Sequence, residues 1–137
     1  IITGVANRWL LLRGPKAAFA ERILIVGAGN LSEMTLWLLE RSSYASLFGV
    51  IGLVDDDPRK QSHEISGVRV LGKTSDIPAL VKKYQIGVIF FAISNCSPLK
   101  QSELIALCEQ TGAKVVLIPD LVKTLERSIK EIEISEP

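Results

Sequence analysis

Gly27-Ala28-Gly29-Asn30-Leu31-Ser32 is the stretch of this chain best suited to holding an anion. The apolar run Ile23-Leu24-Ile25-Val26 precedes it, and a helical pattern follows. Glycine at 27 permits a sharp turn after a strand. Glycine at 29 lets main-chain N–H groups approach a pyrophosphate with no Cβ in the way. A helix that starts near Asn30 aims its free N–H groups and the positive end of its dipole at the same anion. Gly27, Ala28, Gly29, Asn30 and Leu31 are therefore candidate phosphate-binding residues. The last small residue of such a turn is here Ser32, larger than the glycine that gives the closest helix–strand packing. The bland alternative is a pair of glycines that only shape a tight turn.

A carboxylate stands where a ribose would need one. Asp55 follows the second apolar run, at the position that accepts hydrogen bonds from a ribose diol. It would repel a 2′-phosphate, which favours NAD or another unphosphorylated ribose over NADP. Asp56 and Arg59 complete the candidate set on this turn, with Arg59 placed to offset that repulsion. Ser94 and Asn95 end a third apolar run. In open α/β sheets the ligand crevice lies beyond the carboxyl ends of the strands, so both are candidates for hydrogen bonds to the ligand. Ordinary loop polarity accounts for them as well. Asp120 reads as a helix cap.

Several chemistries are missing. There is no Tyr-x-x-x-Lys pair: Tyr44 is followed four residues on by Phe48, and Tyr84 by Val88. That pair supplies acid and base in short-chain dehydrogenases and sugar-nucleotide epimerases. Neither GxxxxGK[ST] nor G-x-S-x-G occurs. His63 is the only histidine, and Cys96 and Cys108 have no CxxC spacing, so a metal site or disulfide framework is not expected. The fragment is expected to be non-catalytic alone. Its 16 Lys+Arg against 15 Asp+Glu leave no broad footprint for nucleic acid.

The elements that must position these residues alternate. Strands are expected at 23–26, 48–54, 68–71, 87–93 and 115–118, with helices after the first, third, fourth and fifth. The first helix is expected to turn Leu31, Met34, Thr35 and Leu38 inward. Ser75 or Asp76, and Ser97, are candidate caps, and Gly112 is a helix stop. Arg59 to Gly67 reads as a loop. This is a Rossmann-like three-layer α/β fold with a parallel five-stranded sheet in the order 3-2-1-4-5, Val68–Leu71 forming the edge. The chain divides into a lead-in helix or juxtamembrane segment (1–21), the nucleotide-binding domain (22–128) and a linker, solvent-facing strand or extension (129–137). Apolar Ile1 to Val5, with Arg8, Trp9 and Arg13, suits a segment leaving a membrane on its cytoplasmic side, and equally an amphipathic helix packed on its own domain.

Four blocks carry a family resemblance. Ile23 to Asn30, Gly52-Leu53-Val54-Asp55-Asp56-Asp57-Pro58, Ile65-Ser66-Gly67-Val68-Arg69-Val70-Leu71-Gly72 and Leu117-Ile118-Pro119-Asp120 occur in that order. Together they resemble the CoA-binding-like Rossmann domain of bacterial polysaccharide biosynthesis proteins, membrane proteins of the nucleotide-diphosphate-sugar epimerase/dehydratase type. Similar domains occur in sugar transferases that initiate glycan assembly. The fold also resembles the NAD(H)-binding domain of redox-sensing repressors and the CoA-binding domain of succinyl-CoA synthetase. The resemblance implies a cytoplasmic module of an inner-membrane protein, covalently joined to transmembrane and catalytic domains, and leaves a homo-oligomer open. It implies a small-molecule nucleotide ligand: CoA by the family's name, NAD or a nucleotide sugar by Asp55. The alternatives are an NAD-dependent nucleotide-sugar dehydrogenase or dehydratase active on its own, and a CoA-binding or structural domain of an initiating sugar transferase.

Overall fold

The computed structural model describes residues 20–43 and 45–135. Nearly all of the lead-in segment expected over 1–21 therefore lies outside the described residues. Ten elements follow in chain order: β1 (Glu21–Val26), α1 (Asn30–Arg41), β2 (Phe48–Val54), β3 (Glu64–Ile65), β4 (Val68–Gly72), α2 (Ile77–Tyr84), β5 (Val88–Phe91), α3 (Pro98–Glu109), β6 (Lys114–Leu117) and α4 (Leu121–Ser135).

The sheet has six strands in the order β3-β4-β2-β1-β5-β6. Its five parallel strands keep the expected relative order, and the addition is β3, which pairs antiparallel with β4. Val68–Gly72 is thus not the edge, and Arg59 to Gly67 is not wholly loop. Ser66 and Gly67 both have positive φ, 52° and 83°. A two-residue turn with both φ positive closes a hairpin whose twist suits its strands. The register sets Glu64 opposite Arg69.

β1 is central, between β2 and β5, and Ile23 through Val26 are fully buried. That explains why its last four residues are all apolar rather than alternating. Its side chains divide between two cores by the period of the strand. Leu24 and Val26 join Ile77, Val81, Leu104 and Cys108 of α2 and α3. Ile23 and Ile25 join Leu31 and Leu36 of α1. The result is three layers.

Two expectations about helix faces change. α1 buries Leu31, Ser32, Thr35 and Leu36, while Leu38 is 48% exposed and Met34 only half-buried. Three-and-four spacing fits two overlapping faces of an apolar helix, and packing on the sheet selects the one that carries Ser32. α4 runs on to Ser135, into the stretch expected as a linker, solvent-facing strand or extension. The alternation of Ile with Glu or Lys that begins at Ile129, where a strand was one reading, is helix as far as Ser135, and among the described residues no strand pairs with it.

The caps are as expected in two of three places. Ser97 Oγ accepts from Lys100 N–H (3.2 Å) at the start of α3, and Asp120 Oδ1 accepts from Lys123 N–H (3.1 Å) at the start of α4. Asp76 makes no side-chain cap bond to α2; its Oδ2 accepts from Lys73 N–H (2.9 Å) across the 3-10 turn before that helix. Gly112, at φ 84°, follows α3.

Candidate functional site

β1 ends where the strand order reverses, with β2 on one side and β5 on the other. Helices lie on opposite faces there, and the loops diverge and leave a crevice. A cavity of about 410 Å³ opens at this point. The glycine turn forms one wall and the β5–α3 loop another.

The turn is tightly held. Gly27 N–H donates to Val54 O (2.7 Å), and Ala92 N–H donates to Val26 O (2.9 Å). Gly27 has φ 112°, and a Cβ there would lie 2.6 Å from Ala92 O, so only glycine fits. Ser32, where a third glycine was absent, is fully buried; its hydroxyl donates to Gly27 O (2.7 Å) and lies 3.3 Å from Ala92 O. The larger side chain thus fastens α1 to the strand ends.

The three aspartates each have a partner. Asp55 Oδ2 accepts from Ala28 N–H (2.8 Å), and its Oδ1 accepts from Asp57 N–H (2.8 Å). Lys60 Nζ donates to Ala28 O (3.0 Å) and lies 4.0 Å from Asp55 Oδ2. One residue of the turn is therefore gripped at both its N–H and its C=O from the β2 side. Asp56 Oδ1 accepts from Thr74 N–H (2.8 Å) and hydroxyl (2.9 Å), joining this loop to the turn before α2. Asp57 caps the 3-10 turn Pro58–Lys60 and pairs with Arg59 at 2.9 Å. The hydrogen bond from Arg59 holds the Asp57 carboxyl down at about 2.

Two amides remain. Gly27 and Ala28 donate within the protein, whereas the N–H groups of Gly29 and Asn30 have no acceptor among the described residues. Gly29, the N-cap position of α1, provides no side chain to cap it. A Cβ built at Gly29 meets nothing within 4 Å. This opening at the positive end of a 12-residue helix is what an anion needs.

Of the residues read from sequence, Gly27, Ala28, Gly29, Asp55, Asp56, Ser94 and Asn95 line the cavity. Asn30, Leu31 and Arg59 are not among its walls: Leu31 is 2% exposed in the α1-side core, and Arg59 turns to Asp57 with 88% of its side chain in solvent. Sequence reasoning missed Lys60, Thr74, Cys96 and Lys100, which also line it. Lys60 carried a faint signal, as a cation just beyond the Asp-Pro turn. So did Lys100, in the first turn after the Ser97 cap. Among the described residues no cluster of three or more His, Cys, Asp or Glu is arranged to hold a metal. His63 is exposed and outside the cavity, which leaves no histidine for acid–base work there.

Known proteins are similar to this chain in sequence or in fold. The capsular polysaccharide biosynthesis protein CapD of Staphylococcus aureus is 31% identical over 119 residues, covering 82% of this chain and 20% of that protein. The chain thus spans about a fifth of that relative's length. The UDP-D-quinovosamine 4-dehydrogenase from Vibrio fischeri matches with a TM-score of 0.69 at 22% identity, over 80% of this chain and 86% of that one. The Rex-family repressor RSP, in complex with β-NAD+ and operator DNA, matches with a TM-score of 0.61 at 17% identity, over 96% and 68%. These two share its fold. Residues 2–119 match the CoA-binding domain family along most of the chain, glycine turn and aspartate loop included, and the chain belongs to that family.

Proposed function

We propose that this domain binds a pyrophosphate-bearing nucleotide at the Gly27–Asn30 turn and does no chemistry by itself. The observation that carries this reading is the row of unpartnered amides that starts at Gly29 and Asn30, with open space at Gly29, beside a cavity of about 410 Å³ that Lys60 and Lys100 also line. Backbone N–H groups, a helix N-terminus and two cations suit a diphosphate. NAD, CoA and nucleotide sugars all carry one. The carboxylates of Asp55 and Asp56 beside the same cavity favour an unphosphorylated ribose, and so NAD over NADP. The cavity's lack of a histidine or a Tyr/Lys pair supports a binding role over a catalytic one. The likeness to a capsular polysaccharide biosynthesis protein supports a module of a larger protein of polysaccharide biosynthesis; the arginines and Trp9 of residues 8–13 are what favour a membrane-associated parent with this domain on its cytoplasmic side. Among the described residues no helix is long and apolar enough to cross a membrane.

Calorimetric titration with NAD, NADP, CoA, ADP, UDP and UDP-glucose tests the reading. Binding of at least one, weakened about tenfold or more by Gly29→Ala, is the expected result. Affinity for none of them at millimolar concentration would overturn it.

A further inference from the structure

A second cavity, of about 340 Å³, opens beyond the carboxyl ends of β5 and β6. It shares a wall with the first: Ile93, Ser94, Asn95 and Cys96, in the β5–α3 loop, line both. Asn95 lies in this wall at φ 57°, a left-handed conformation that asparagine tolerates better than most residues. Neighbouring strands are about 4.8 Å apart. The path from the glycine turn after β1 to the gap between β5 and β6 is therefore about 5–10 Å, which a diphosphate can span.

The lining of this second cavity has its own chemistry. Ser94, Asn95, Gln101, Asp120 and Lys123 bring a hydroxyl, two amides, a carboxylate and an ammonium group to one place. Among the described residues no hydrogen bond engages the side chains of Ser94, Asn95 or Gln101. Asp120 uses Oδ1 to cap α4 and leaves Oδ2 unspent. Leu117 and Pro119 add apolar surface, with Leu117 54% exposed. Unspent donors and acceptors around an apolar patch suit a pyranose, which carries hydroxyls round its rim and C–H groups on its faces. A planar heteroaromatic ring, whose polar groups lie only along its edge, would meet fewer of these side chains directly than a ring of hydroxyls does.

We infer that this cavity is the second half of the same ligand site and takes the glycosyl end of a nucleoside diphosphate sugar. The inference rests on the pyrophosphate reading above and selects among its ligands. Gln101 and Lys123 are its specificity-determining residues, since neither lies at the glycine turn and neither side chain supports the fold through a hydrogen bond.

The experiment is a paired titration of the intact chain with ADP against ADP-glucose, UDP against UDP-glucose, and ADP against NAD. At least one sugar conjugate should bind about tenfold or more tighter than its own diphosphate, the worth of one or two satisfied hydrogen bonds. In Gln101→Leu and Lys123→Met that gain should shrink to about threefold or less while the diphosphate affinity stays within about twofold. Unchanged thermal melts of both variants would show that the fold is intact. If the diphosphates bind and glucose adds nothing, or if the variants keep the gain, the glycosyl assignment is wrong and the pyrophosphate site stands. A larger gain from NAD than from either sugar conjugate also overturns it. Absence of binding by every nucleotide overturns the underlying reading, and this inference with it.

Discussion

Gly27 and Gly29 sit two residues apart and do different work. Gly27 is needed by the fold: its φ is 112° and Ala92 O occupies the space a Cβ would take. Gly29 → Ala adds a methyl to open space, at an unstrained φ of −107°. Gly27→Ala is therefore expected to cost about 1–3 kcal/mol or more, and Gly29→Ala under about 1 kcal/mol, in urea unfolding without ligand. Only the second should be stable and yet bind nucleotide poorly. The two cysteines also separate. Cys108 is fully buried, and burial, with Glu109 beside it, pushes its thiol up to about 11 from an ordinary 9.0. Between those values the unfolded chain loses its proton first, so folding stability should fall as pH rises from 9 towards 11. Unfolding of Cys108→Ala over the same range should lack that slope. Cys96, on the shared wall of the two cavities, should be alkylated first at neutral pH, and a saturating nucleotide should slow its labelling.

The loops, rather than the helices and strands, decide what the element ends can do. Asp55 ends up beside the glycine turn, at the cavity wall, and the fold gives it a task of its own in holding Ala28 N–H and Asp57 N–H. Asp55→Ala should cost about 1–3 kcal/mol with no ligand present, because two amides lose an acceptor and the Lys60 ammonium loses a nearby counter-charge. A loss confined to ligand affinity would show that the carboxylate serves the ligand alone. α4 makes the opposite case. Its side chains are exposed wherever they are described, Leu125 at 61% and Ile132 at 59%. Removing residues 128–137 should lower helical circular dichroism and change the stability of the remaining domain by no more than about 1 kcal/mol. A lost or broadened melt would show that the core depends on this helix.

At the scale of the molecule, binding and stability are linked. A ligand that takes the folded state alone raises its stability, by about 2.7 kcal/mol at a hundred times its dissociation constant. The two cavities share one loop wall, so a ligand that fills both should rigidify the β5–α3 loop. Hydrogen exchange at Ser94–Ser97 is expected to slow more with a nucleotide sugar than with the bare diphosphate. Equal protection by both would argue for a ligand confined to the first cavity.

Sequence alone determined where the five parallel strands lie along the chain, the glycine turn at the end of β1, and the caps of α3 and α4. These are local: apolar runs, a glycine pair, and a serine or aspartate just before a helical pattern each act within a few residues. The tertiary structure decided the rest. Pairing with β4 made a strand of Glu64–Ile65, and sheet packing chose which face of α1 went inward. Lys60 and Lys100 joined the cavity because loops 40 residues apart converge where the sheet reverses its order. Which amides stay free at the turn was likewise settled from a distance, by an aspartate 27 residues along the chain. No spacing rule could reveal that partnership, since it depends on β1 and β2 lying side by side.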